Sequence, residues 1–217
     1  ENYWARVRGI HGPPQLWELH VEGLDHYAAA KAAGRGVILW RMAFCKSAVV
    51  NAALHAHGIA PVHLSTYRHG AYSESWLGLK LLSPMYTRVE MWYLAERVVI
   101  PKDGSLGYMR VLIDRLEANA TLSIFADGRG RSKVTTTVLG RTTRIPTGSP
   151  GLAYRQGAAL LPVYGERLGP YLYRVVIDAP IAPPAGAKRN AYVVAAVEEY
   201  ARRLEAQIRA HPADWNW

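Results

Sequence analysis

The stretch GRGVILWRMAFCKSAVVNAALHAHGIAPVHLSTYR, Gly34 to Arg68, carries the pattern on which the fold turns. Val37–Met42 is an apolar run broken only by Arg41, as in a strand buried on both faces. Cys45–His57 reads as a helix stopped by Gly58, and Ala60–Thr66 as the strand that follows. Upstream, Leu16–Val21 alternates as a strand, and Glu22–Ala33 reads as a helix ended by Gly34 and Gly36. Downstream, a helical stretch from Ser73 to Glu96, interrupted near Pro84, precedes a short strand Arg97–Ile100, a helix Gly104–Asn119 and a strand Thr121–Ala126. A loop Asp127–Lys133, a small helix Gly148–Gln156 and strands Ala159–Tyr164 and Tyr171–Asp178 come next. This alternation predicts an α/β fold, a single domain over residues 1–217 with a central, mostly parallel sheet flanked by helices.

The last helix, Arg189–Ala210, has the clearest period. Val193, Val197, Tyr200, Leu204 and Ile208 share one stripe, while Glu198/Arg202, Glu199/Arg203 and Glu205/Arg209 form i,i+4 pairs opposite it. Its expected role is packing against the sheet.

A chain of 217 residues supports one sizeable core but barely two. The 26 Lys and Arg exceed the 17 Asp and Glu by nine, and this basic balance favours acidic partners such as anionic lipid and phosphorylated ligands. Nucleic acid is not expected, because neither an aromatic platform nor a reading helix accompanies the charge. One cysteine excludes an internal disulfide and a cysteine-rich metal cluster. No apolar run approaches the roughly 18 residues of a membrane span, and no signal peptide is visible.

The stretch quoted first resembles the leading motif region of the bacterial lipid A late acyltransferases, within the lysophospholipid acyltransferase-like class. The similarity extends through Val98–Asn119, Thr121–Gly130, the block IPTGSPGLAYRQGAALLPV (Ile145–Val163) and the closing Pro212–Trp217. The resemblance implies an acyltransferase fold and the transfer of a fatty acyl group from a coenzyme A or acyl carrier protein thioester to a lipid or other acceptor. It also implies no bound cofactor. Its expected setting is the cytoplasmic face of the bacterial inner membrane, peripheral or anchored by a segment preceding Glu1. In the resembled family the leading motif reads His-x-x-x-x-Asp/Glu, a base and the carboxylate that orients it. Here Ala43 and Ala48 occupy those positions. The alternative to an enzyme with replacement residues is therefore a non-catalytic descendant that binds lipid or serves as an accessory subunit.

By the same resemblance, Phe44 stands where the family often has an aromatic, Arg88 matches an arginine near the acyl donor or lipid phosphate, and Asp127 matches the carboxylate ending its strand. Tyr67 and Arg68 match a Tyr-Arg pair after the first motif. From the residues themselves, three replacement groups are candidates. His69 and Glu74 repeat the His-x-x-x-x-Glu spacing, and strands about 5 Å apart ending on one edge bring them toward Ala43, though His20 and Asp25 share that spacing. Cys45 is a lone thiol beside Lys46 near a helix start, neighbours that lower a thiol pKa; the competing role is a small core residue. Arg129, Arg131 and Lys133 lie among Gly128 and Gly130 in a loop suited to a phosphate, or simply solvated. Trp40, Trp76, Trp92 and Tyr93 suit either a bilayer interface or the core. His55, His57, His63 and His69 lack carboxylates at ligand spacing, so no zinc site is expected.

Overall fold

The computed structural model describes residues 17–69, 75–126, 130–182, 184 and 186–215. Their elements run β1 (Glu18–Glu22), α1 (Leu24–Ala32), β2 (Val37–Arg41), α2 (Ser47–Ala56) and β3 (Val62–Thr66). A π-helical turn (Gly78–Leu82), α3 (Ser83–Glu90) and a 3₁₀ turn (Met91–Tyr93) lead to β4 (Glu96–Ile100), α4 (Gly107–Glu117) and β5 (Thr121–Phe125). The hairpin β6 (Lys133–Val138) and β7 (Arg141–Pro146) precedes α5 (Gly148–Gln156), β8 (Ala159–Arg167), β9 (Leu172–Ile177), α6 (Arg189–Ala210) and a final 3₁₀ turn (Pro212–Asp214).

Seven strands form one sheet in the order β1-β9-β8-β2-β5-β3-β4. The five from β8 to β4 are mutually parallel; β9 runs against β8 and carries β1 with it. The mostly parallel sheet is as the sequence predicts. β2 sits at its centre between β5 and β8, which is why all five of its residues are buried. Ile38, Trp40 and Met42 face a cluster built with Leu112, Leu116, Leu152 and the stripe Val197, Tyr200, Leu204 and Ile208 of α6. Val37 and Leu39 face the other way, against Ala30, Val50, Ala53 and Leu54 of α1 and α2. Trp40 packs on Tyr200 with ring centroids 4.1 Å apart, and the Tyr200 hydroxyl donates to the Arg41 carbonyl at 3.2 Å. Such an aromatic pair contributes about 0.5–1.5 kcal/mol beyond its area.

Three elements depart from the reading. The helix around Pro84 is not interrupted: the ring would clash with the carbonyl four residues earlier, and the widened turn Gly78–Leu82 ends just before it. β8 extends to Arg167, beyond Tyr164, because β9 pairs with it antiparallel over Val163–Arg167. The β6–β7 hairpin was not foreseen; Leu139 and Gly140, both at positive φ, make its turn. On α6, Glu199/Arg203 and Glu205/Arg209 pair as expected, but Arg202 turns to Glu199.

Candidate functional site

The parallel strands present their carboxyl ends along one edge, where open α/β sheets gather their chemistry. β2 ends at Arg41, and Ala43 and Ala48 follow, both half-buried. Arg41 lies on the α2 side of the sheet and is 1 % exposed. Its Nη1 donates to Asn51 Oδ1 on α2 at 2.8 Å and reaches Ser123 Oγ on β5 at 3.4 Å. Asn51 Nδ2 in turn donates to Glu90 Oε1 at the end of α3, at 3.3 Å. The other oxygen of Glu90 meets His69 Nε2 at 2.7 Å. A continuous buried network thus links the end of β2 to the residues just past β3.

His63 on β3 joins it from the side, its Nδ1 3.2 Å from Ser123 Oγ and its ring 5.7 Å from that of His69. The His69 ring stands edge-on to Tyr86 at 5.1 Å, and its carbonyl accepts the Ser83 hydroxyl at 2.8 Å. Arg97 donates to Ser65 Oγ and the Thr66 carbonyl, fixing the end of β3.

Burial sets the electrostatics. Desolvation brings Arg41 down to about 10, opposed by the charge of Glu90. It brings His63 down to about 4, so that imidazole is neutral at physiological pH. Burial also pushes Glu90 up, but the His69 hydrogen bond, with the charge of Arg41 nearby, outweighs it and holds the carboxyl below its usual range. With Glu90 ionised, the 2.7 Å contact requires the proton on His69 Nε2, which leaves the lone pair of the neutral ring on Nδ1. His69 keeps 21 % of its side chain exposed, against 2 % for Glu90. The arrangement is that of a base carrying an orienting carboxylate.

The sequence candidates are distributed around it. His69 is at the centre, paired with Glu90; Glu74, which spacing offered as its partner, lies outside the described residues. Asp127 and Arg129 also lie outside them. Arg131 is exposed and donates to the Gly104 carbonyl at 2.9 Å. Arg88 is exposed on α3, two residues from Glu90. Cys45 differs from expectation: burial raises its thiol pKa and outweighs the lowering by Lys46. It also sits two residues before α2 begins, at φ 54, with its amide donating to the Asp214 carbonyl at 2.8 Å. The expectation that the histidines lack a carboxylate is corrected as well, since His63, His69 and Glu90 offer ligand-type atoms all within 4.8 Å of one another. Glu90 is 21 residues from His69, so spacing gave no sign of it. A cleft of about 420 Å³ between β6 and α6, lined by Thr136, Thr137, Glu198, Arg202, Glu205 and Arg209, lies across the sheet from this network.

The fold is an α/β arrangement shared with a solved acyltransferase. The 1-acyl-sn-glycerophosphate acyltransferase PlsC from Thermotoga maritima superposes with a TM-score of 0.52 at 14 % identity, over 98 % of this chain and 78 % of that one. The bacterial lipid A biosynthesis acyltransferase family matches residues 15–217, and the chain belongs to that family. Two relatives are phosphatidylinositol mannoside acyltransferases. The one from Mycobacterium tuberculosis (strain H37Rv) is 30 % identical over 209 residues, 90 % of this chain and 57 % of that protein. The one from Mycolicibacterium smegmatis is 28 % identical over 212 residues, 92 % of this chain and 60 % of that protein. The chain thus spans somewhat over half the length of these relatives.

Proposed function

We propose that this protein transfers a fatty acyl group from a thioester donor to a lipid hydroxyl, with His69 as the general base and Glu90 as its orienting carboxylate. The observation that carries the reading is the His69–Glu90 contact at the carboxyl edge of the sheet, in an acyltransferase-family chain with alanine at 43 and 48. His69 Nδ1 takes the proton as the acceptor oxygen attacks the thioester carbonyl, and Glu90 stabilises the imidazolium. Collapse breaks the C–S bond, and the departing thiolate recovers the proton. Either a coenzyme A or an acyl carrier protein thioester suits this step.

The lipid acceptor is reached along the neighbouring surface. Trp76, Leu77, Leu81, Met91 and Trp92 are exposed around the π turn and α3, with Lys80 and Arg88 among them. Apolar side chains ringed by cations on a protein of net charge +9 suit an anionic bilayer surface. Among the described residues no helix is long and apolar enough to cross a membrane.

The test offers the protein acyl-coenzyme A or acyl carrier protein thioester with vesicles containing phosphatidylinositol mannoside, the acceptor in its relatives' names. Product is read by mass spectrometry. Transfer that falls by about 10²–10⁴ in His69→Ala is the expected result. No transfer from either donor, or transfer indifferent to His69→Ala, would overturn the proposal.

A further inference from the structure

We infer that His63, His69 and Glu90 form a site for a divalent transition-metal ion, and that its occupation switches the base off. This rests on the proposed role of His69 only for its consequence, not for the binding itself.

Two imidazoles and one carboxylate, from β3, the turn after it and the end of α3, place their donor atoms within 4.8 Å of one another. Ligands around a tetrahedral zinc lie roughly 3.3 Å apart, so an ion would part the 2.7 Å His69–Glu90 contact slightly and draw His63 inward. Two of the three ligands are already held from behind. His63 is held at Nδ1 by Ser123 Oγ, which leaves Nε2 as its donor atom. Glu90 is held at Oε1 by Asn51 Nδ2, which leaves Oε2. These are the outer contacts that orient metal ligands. Two of the three donors are nitrogen, which selects zinc, cobalt or iron over magnesium or calcium. The Arg41 and Arg97 guanidiniums carry charge toward the same cluster and weaken the site, but Arg41 is turned to Asn51 and Ser123 and Arg97 to Ser65 and Thr66. The part-exposed His69 is the way in.

The ion takes the place of the proton shared by His69 Nε2 and Glu90 Oε2. A neutral imidazole has one lone pair, so coordination through Nε2 moves the ring proton to Nδ1 with no net change in protons. No lone pair then remains for an acceptor hydroxyl. Metal binding and base catalysis are therefore alternatives at one pair of side chains.

The experiment titrates the chelator-stripped full chain with cobalt(II) and follows its visible absorption, with zinc as competitor. One equivalent should bind with bands displaced by zinc, and both His63→Gln and Glu90→Gln should lose them while keeping the wild-type circular dichroism. Absence of bands in the wild type, or bands that survive in either folded variant and so arise from surface histidines such as His55 and His57, would overturn the site. In the transfer assay zinc should inhibit and a chelator restore the rate; activation by zinc would overturn the switch. If no transfer is found at all, the cobalt arm still decides the site, so the two failures are distinguishable.

Discussion

At the scale of single residues, the decisive feature is a buried polar cluster held together by its own hydrogen bonds. Arg41, Asn51, His63 and Glu90 are each nearly inaccessible, and their hydrogen bonds offset a desolvation cost that is large for charged groups. His63 carries a measurable consequence. Its folded-state pKa of about 4 lies below the ordinary histidine value near 6.5, so between the two the unfolded chain binds a proton that the native protein does not. Stability is whole above the upper value and falls as pH drops toward the lower, by on the order of a few kcal/mol. Glu90, held low, adds to the loss in more acidic solution. Urea midpoints in chelator-containing buffer should slope downward from pH 6.5 to 4, and the slope should flatten in His63→Asn. A wild-type midpoint independent of pH in that window would show that His63 titrates normally.

At the scale of elements, much of the order was legible because β2 and α6 state their surroundings plainly. A five-residue run of buried side chains suits only the centre of a sheet, and the 22-residue stripe of α6 repeats without a break. The hairpin was harder, since Lys133–Val138 and Arg141–Pro146 are rich in threonine and fully buried only at Val138, Ile145 and Pro146. His69 was legible by residue type, but Glu90 was not, because α3 brings it back over β3 from far along the chain. No periodicity encodes that return. The junction before β2 gives a sharp test of local geometry. Gly34 and Gly36 both have φ +73, but a Cβ on Gly36 would lie 2.9 Å from the Leu116 carbonyl oxygen, whereas one on Gly34 meets nothing within 4 Å. Gly34→Ala should cost only the roughly 1–2 kcal/mol of the left-handed conformation. Gly36→Ala should cost clearly more, read as a lower thermal midpoint; equal midpoints would contradict the packing described.

At the scale of the whole molecule, the last described residues meet the loop that follows β2 and the end of β8. Trp215 bridges Phe44, Asp214 accepts from the Cys45 amide, and Asp214 Oδ2 accepts from the Arg167 amide at 2.9 Å. The terminal segment thus clasps the loop that follows β2, where the family motif would stand. Truncation after His211 should speed labelling of Cys45 by a thiol reagent, and an unchanged rate would show the clasp to be idle. The larger claim is that the chemistry lost at Ala43 and Ala48 is recovered by His69 and Glu90 acting as one unit. The most direct test is a double-mutant cycle in acyl transfer with His69→Ala, Glu90→Gln and both together. The account predicts that each single change slows transfer steeply and that the double variant is no slower than His69→Ala, as for residues that act together. Losses that multiply, or a His69→Ala protein as fast as the parent, would contradict it.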